Sequence, residues 1–542
     1  MEEYQVQAEN FLKNETQFRL GFLSSEASNP ITAHLDSDFG QSTETGVKTL
    51  FRCDAALESV LRKALADSRF AEMREAFSET LRNGGKIVFS GCGATGRLAI
   101  LLEALWIDRV KGTGREPQVR SIMTGGDYAL IRAVEFYEDH AEFGRRQAAA
   151  ENLRKGDVLV GITATGETAS ILGTVLEAAE RGAKVFLLIC VEKEIPMQRL
   201  ERCRSAYAHP NVTVLDMPCG GMAITGSTRM QSTTLEMVVT CAALEEAAFG
   251  KTVSYADAFA ELAGTLSGGV CPASIARAVE LETGTYSEKG FVTYFSEDFL
   301  LDILTDTTER TPTFMLPAFR KNDDTVSPVS WAFVKNPSCS TPEAWKRCLR
   351  REPRCLDWKE RDFREMGAEE ILRNGIPETG AAELLKFPIG REAAPERCSG
   401  KKDVAFRIGV DRLPEMDVSA YPATRSVLLG KQSEESDFSV PFNRLETPLK
   451  LFEHLAVKLV MNVLSTGTMV KMGRVTGNSM TCLNVSNKKL VDRGIRLISE
   501  QCGLPYEEAC MELFRGMALC KGTGDSPVRS TILRLKGNGR IS

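Results

Sequence analysis

Lys86-Ile87-Val88-Phe89-Ser90-Gly91-Cys92-Gly93-Ala94-Thr95-Gly96-Arg97 reads as a buried strand, a glycine turn and the opening of a helix that continues through Trp106. Glycines at a strand-to-helix turn leave backbone N–H groups bare, and the helix N-terminus adds favourable partial charge, so this turn is an anion cradle. Outward from it, the runs VRSIMTGG, VLVGITATG, KVFLLIC and VTVLDM alternate with helix-like stretches such as ASILGTVLEAAERG. Short buried runs alternating with helices predict a parallel sheet with helices on both faces, an α/β fold.

A second unit is expected from about Glu261, after a helical stretch over Thr233–Phe249. FVTYF (291–295) and VSWAFV (329–334) are strand candidates. Residues 336–438 are rich in Pro, Arg and Glu and offer only VAFRIG and RSVLLG. The chain then returns to a long helical pattern, LKLFEHLAVKLVMNVLSTGTMVKMG, whose Met461, Met469 and Met472 read as core filling. This is a degenerate second copy of the first unit with a helical piece after Lys488. A period of roughly 200 residues marks a domain duplication and not a solenoid.

The 542 residues give a prior of three or four domains at ~150 residues each, or two large ones with additions. With 26% charged and 43% hydrophobic residues the chain is globular and not disordered. A formal charge of -6 and a pI of about 5.7 argue against an extended basic surface for nucleic acid. No apolar run reaches the ~18 residues of a membrane span, and Met1–Asn10 is too acidic and polar for a secretory signal. Fifteen cysteines without a C-x-x-C pair point to reduced thiols and a cytoplasmic setting. The histidines, His34, His140, His209 and His454, lack a metal-ligand spacing. No metal and no cofactor are expected.

The first turn also satisfies G-x-G-x-x-G, but a dinucleotide reading wants an acidic residue ending the second strand, where Thr124-Gly125-Gly126 stands. A Walker A reading fails because Arg97-Leu98 occupies the places of Lys and Ser/Thr. A second hydroxyl-rich turn, Thr163-Ala164-Thr165-Gly166-Glu167-Thr168, follows another buried strand. Two such turns enclose one compact phosphate better than a pyrophosphate. A third, Thr225-Gly226-Ser227-Thr228-Arg229, opens a further helix and either closes the same pocket or is an ordinary N-cap.

These residues resemble the SIS (sugar isomerase) domain, in the group that contains N-acetylmuramic acid 6-phosphate etherase and the glucokinase regulatory protein. The matching pieces are SNPITAHLD (28–36), GCGATGRLAIL (91–101), TGGDYAL (124–130), VEFYED (134–139), GITATGET (161–168), ITGSTRM (224–230), NVLSTGTMVKMGRVTGN (462–478) and SNKKL (486–490). The resemblance implies two SIS domains, each a flavodoxin-like parallel sheet flanked by helices, paired as a pseudo-dimer within one chain. The expected divisions are 1–260 for the domain with the phosphate loops, 261–485 for its degenerate copy, and 486–542 for a small helical C-terminal lid.

The family's D-x-x-E-x-x-P-T-F segment is missing from the first half, where its glutamate position falls near Leu105 with Glu103 two residues out of register. It stands in the second half as Asp306–Phe314 and carries Glu309. There the phosphate loop has become Phe295-Ser296-Glu297-Asp298-Phe299, whose added carboxylates repel a phosphate. The halves are therefore complementary, and one working pocket per chain is expected. Gly93, Ala94, Thr95, Gly96, Arg97, Thr163, Thr165, Gly166, Thr168 and Ser227 would hold the phosphosugar. The resemblance adds Lys489 as a cationic lid contact and makes Glu138 and Glu309 the catalytic pair, without deciding which is acid and which is base. On residue type alone, Glu138 also suits a solvated helix face, Glu309 a surface pair with Arg310, and Arg97 a brace for the turn. Cys92, inside the cradle, would be a nucleophile only with a lowered thiol pKa.

The resemblance implies cleavage of the lactyl ether of N-acetylmuramic acid 6-phosphate. The alternatives are a non-catalytic sensor of sugar phosphates acting on a protein partner, as in the glucokinase regulatory protein, and an aldose–ketose phosphosugar isomerase. The partner in each is a phosphorylated hexose or amino sugar, with no nucleic acid and no membrane.

Overall fold

The computed structural model describes residues 2–134, 136–251, 253–433, 436–483, 485 and 487–537. Glu135 and Ser486, which fall within two of the motifs quoted above, lie outside them. The apolar runs of the first half form strands β1 (Ile87–Gly91), β2 (Val119–Met123), β3 (Val158–Ile162), β4 (Lys184–Ile189) and β5 (Val212–Asp216). They make one parallel sheet in the order β2-β1-β3-β4-β5. β1 and β3 are buried along their whole length, which is why they read as unbroken apolar runs and not as an alternation.

The second half repeats the arrangement with β6 (Val292–Phe295), β7 (Ala332–Lys335), β8 (Val404–Val410), β9 (Ala423–Gly430) and β10 (Phe438–Pro441), in the order β10-β9-β8-β6-β7. All its pairings are parallel. β6 thus takes the place of β1, and helix Leu300–Phe314 the place of helix Ala94–Val110. The fold is α/β with two SIS domains and C-terminal helices.

The stretch 336–438 holds more structure than its composition suggests. Helix Thr341–Leu349 is seated by Trp345, and Glu360–Glu365 and Glu369–Asn374 pack Phe363 and Ile371 against Tyr137 and Phe143 of the first half. Two packing contacts run across the expected divisions. Helices Leu35–Gln41 and Thr43–Ala55 pack on Leu451–Lys471, and Glu3–Asn14 packs on Tyr506–Leu519 through Phe11 and Phe514, 6.0 Å apart. The C-terminal helical unit is therefore built from both ends of the chain. No helix among the described residues is long and apolar enough to cross a membrane, and none of their His, Cys, Asp and Glu side chains gather as a metal site.

Candidate functional site

β1 and β3 are neighbours with Gly91 opposite Ile162, so the two glycine turns leave the sheet at the same edge. Gly93 caps helix Ala94–Val110 at φ 56° and ψ -122°, a conformation that an L side chain rarely adopts. The Thr95 hydroxyl stays inside its own turn, donating to the Cys92 carbonyl at 3.0 Å and accepting from the Cys92 N–H at 3.1 Å. In the second turn Thr163 and Thr168 share a hydrogen bond of 2.9 Å, and Thr165 donates to Glu167 at 3.1 Å. The hydroxyls therefore shape both turns, and the bare amides of Ala94, Thr95 and Gly96 are the groups left for an anion. Burial pushes the Cys92 thiol up, with Glu138 adding to it, so the lowered pKa that nucleophilic use requires is not found.

Arg97 braces the halves. Buried to 3% exposure, it pairs with Glu309, donates to the Leu130 carbonyl at 2.9 Å and reaches Thr308 Oγ1 at 3.3 Å. The second half's carboxylate thus meets the helix of the first half's glycine turn. Glu309 is a buried inter-half partner and not part of a surface pair with Arg310, whose guanidinium turns to Glu282 and Asp306. Behind the Arg97–Glu309 pair runs a cavity of about 40 Å³, lined by Ala94, Arg229 and Asp306 among others. It has room for a water or two and not for a sugar.

Glu138 lies on a short 3-10 turn after β2 and faces Lys489 at 3.9 Å, while Lys489 also faces Glu167 at 3.6 Å. Glu138 is set deep among neighbouring atoms, yet 33% of its side chain is open to solvent. Its pKa is raised, first by burial, with Lys489 opposing and the charges of Glu167 and Glu309 adding. Burial also presses Glu167 upward, but Lys489 and Arg202 together hold its carboxyl below the usual range. Lys489 is itself held charged against burial by Glu167 and Glu138. Asp139 next door is pushed up to about 7 by burial and by the same two carboxylates. Glu138 and Glu167, which both face Lys489, are therefore shifted in opposite directions, the first up and the second down.

Ser227 is buried, and its hydroxyl makes no hydrogen bond among the described residues. A Cβ on its neighbour Gly226 would strike the Arg493 guanidinium, which sits on Glu26 through bonds of 3.0 and 2.6 Å. Asn478 ties three of the quoted motifs together: its side-chain oxygen accepts from Ser28 at 2.9 Å and Thr225 at 3.0 Å, and its amide reaches Thr32 at 3.1 Å. Arg229 donates to Asp306 at 2.8 Å, and Ser465 to the same oxygen at 2.8 Å, so these motif residues knit the halves.

Residues 69–179 match the family model described as the glucokinase regulatory protein N-terminal SIS domain. The N-acetylmuramic acid 6-phosphate etherase of Rhodopirellula baltica is 31% identical over 223 residues, 41% of this chain and 67% of that protein. The chain belongs to the N-acetylmuramic acid 6-phosphate etherase family. N-acetylmuramic acid 6-phosphate etherase 1 of Bacillus licheniformis is 35% identical over 160 residues, 30% of this chain and 48% of that protein, so the chain spans about half of that relative's length. A solved structure titled a putative tagatose-6-phosphate ketose/aldose isomerase, from Clostridium novyi, is similar with a TM-score of 0.45 at 10% identity, covering 82% of this chain and 93% of that one.

Within this etherase-family chain, sequence reasoning missed Glu167, Glu26 and Arg493 as site groups. Glu167 stood in the quoted turn and drew no attention because a carboxylate beside a phosphate loop is unfavourable until a cation is found for it. Lys489 and Arg202 are those cations, and both are distant in sequence. Counted from the start of each helix, Glu103 and Glu309 also occupy the same place, which corrects the expectation that Glu103 is two residues out of register.

Proposed function

We propose that the first half binds a phosphorylated amino sugar and that the chain cleaves the lactyl ether of N-acetylmuramic acid 6-phosphate, giving N-acetylglucosamine 6-phosphate and lactate. The observation that carries this reading is the set Glu138, Lys489 and Glu167 beside the glycine-turn helix to which Arg97 brings Glu309. The amides of Gly93 to Gly96 receive the phosphate, with Arg97, Thr163, Thr165, Gly166, Thr168 and Ser227 around it and Lys489 as the cation. The reaction removes the proton next to the sugar's carbonyl carbon, breaks the bond to the ether oxygen as that oxygen takes a proton, and then adds water to the resulting double bond. Glu138, whose carboxyl burial shifts upward, suits the acid that protonates the departing oxygen. Glu309, its charge balanced by Arg97, suits the base.

A second reading, a sensor that binds without turnover, draws on the same pair: Glu309 is already engaged by Arg97. Incubation with N-acetylmuramic acid 6-phosphate and measurement of lactate separates the two. The lyase reading expects lactate from the wild type and a rate about 10²–10⁴-fold lower for Glu138→Gln. Absence of lactate alongside tight binding of a hexose 6-phosphate replaces it with the sensor.

A further inference from the structure

We propose that the second half holds a separate binding site for a small α-amino acid, in the cavity where its own phosphate loop once stood. By the order of the sheets, helix Leu300–Phe314 after β6 stands for Ala94–Val110, and helix Leu451–Lys471 after β10 stands for Gln231–Phe249 after β5. A cavity of about 130 Å³ opens between the start of each of these second-half helices and the face of Ala94–Val110 that carries Leu101, Leu105 and Asp108. An engineered apolar cavity of about 150 Å³ holds benzene, so this space suits a ligand of about six non-hydrogen atoms. Alanine is of that size. A hexose phosphate is far larger.

The charges on the cavity wall select the ligand. Arg350 is paired with Asp108 at 3.5 Å, Asp298 with Arg412 at 2.8 Å, and Arg347 with Glu343 at 3.1 Å. That leaves one cation, the solvent-exposed Lys450, and one anion, Glu297, outside any close ion pair among the described residues, with Arg347 and Arg412 acting on Glu297 only through space. An unpaired cation and an unpaired anion around one small space complement a zwitterion.

A buried acceptor lines the same cavity, and the smaller cavity behind Arg97 as well. Asp302 is 6% exposed and lines the cavity; its Oδ2 contacts His454 Nδ1 at 2.8 Å, while its Oδ1 has no hydrogen-bond partner. The ligand's carboxylate is received by Lys450 and the free N–H groups at the start of helix Leu300–Phe314, and its ammonium by Glu297 and Asp302 Oδ1. Lys450 and Arg350 both hold a left-handed backbone at this cavity, φ 54° and 58°, which fixes where their side chains begin.

The test is calorimetric titration of the full chain with L-alanine, with propionate, which lacks the ammonium, and with ethylamine, which lacks the carboxylate. Alanine is expected to bind once per chain, and propionate and ethylamine at least about tenfold more weakly. Lys450→Asn, a residue that tolerates the left-handed backbone, and Glu297→Gln should each weaken alanine about tenfold and leave affinity for glucosamine 6-phosphate and the melting temperature unchanged. Failure of alanine to bind, equal binding of propionate, wild-type alanine affinity in both variants, or displacement of alanine by glucosamine 6-phosphate overturns the proposal. The alanine titration stands whether or not the sugar phosphate is bound or turned over.

Discussion

Removing the Glu309 carboxylate tests whether the two halves are joined through charge at the site. Arg97 is 3% exposed and its remaining partners are the Leu130 carbonyl and Thr308 Oγ1, so loss of Glu309 strands a buried guanidinium. Two unit charges about 4 Å apart at an effective dielectric of about 20 attract by about 4 kcal/mol, and breaking one side of a buried pair costs about 3–5 kcal/mol. Glu309→Ala is expected to lose stability in that range. Glu309→Gln, which keeps a carbonyl acceptor for Arg97, should lose about 2–3 kcal/mol. Arg97→Met is expected to lose a similar amount, and the double variant Arg97→Met with Glu309→Gln to recover part of it. Urea denaturation of the four proteins gives the coupling energy, expected at about 2–4 kcal/mol. Losses that add to within about 0.5 kcal/mol would refute the pair as a bond between the halves. The one-pocket architecture would then lose its support.

Lys489→Met removes the cation shared by Glu138 and Glu167; hexose 6-phosphate affinity should fall at least about tenfold. Because Lys489 opposes the upward shift of Glu138, the limb of the pH–rate profile set by Glu138 should move to higher pH, and unchanged affinity and profile would remove Lys489 from the site. Asp139 is pushed up to about 7, so the folded chain keeps a proton that the unfolded chain loses near pH 4. Its contribution to stability is fully present below about pH 4 and is lost as pH rises through about 7, at most about 4 kcal/mol and less by the solvent that reaches the site. Asp139→Asn should flatten the decline in urea midpoint between pH 5 and 8, and an identical decline in both proteins would show that Asp139 titrates normally. Gly93→Ala forces a side chain into φ 56°, ψ -122°, at a cost of about 1–3 kcal/mol, and should abolish hexose 6-phosphate binding in calorimetry while the chain still folds.

The first sheet was legible because parallel strands buried on both faces become continuous apolar runs, as in Ile87–Gly91 and Val158–Ile162. Phe438–Pro441 was not, since an edge strand of four residues with every second one half-exposed carries too little pattern. Helices Glu360–Glu365 and Ala381–Leu384 were hidden for a related reason: each is too short to show a period, and tertiary packing through Phe363 and Leu384 holds them. At the site, groups within one turn could be read together. Glu26 with Arg493, and Glu138 with Lys489, lie hundreds of residues apart, and only the fold makes them neighbours. The N-terminal helix was invisible as part of the C-terminal helical unit because its apolar face, Ala8 and Phe11, is small until Cys510 and Phe514 cover it.

The inequality of the halves has a physical cause in two glutamates at the same place on matched helices. Both Glu103 and Glu309 point out of a helix that follows the first strand of its sheet, and both are buried. Glu309 meets a single arginine, Arg97, which also opens the helix of the glycine turn. Glu103 meets Arg351, Arg354 and the Ser121 hydroxyl, with Arg351 further fixed by both oxygens of Asp127. Two guanidiniums and a hydroxyl converge on one of its oxygens, Oε2, so Glu103 fastens the segment beginning at Arg351 to the first half. That segment, through Trp358 and Phe363, packs on Tyr137 and so supports the turn that carries Glu138. Of two glutamates at the same place on matched helices, one thus anchors the segment 351–363 and the other pairs with Arg97 across the halves. A duplicated domain escapes the symmetry of a homodimer in just this way, because each copy can change without changing its twin.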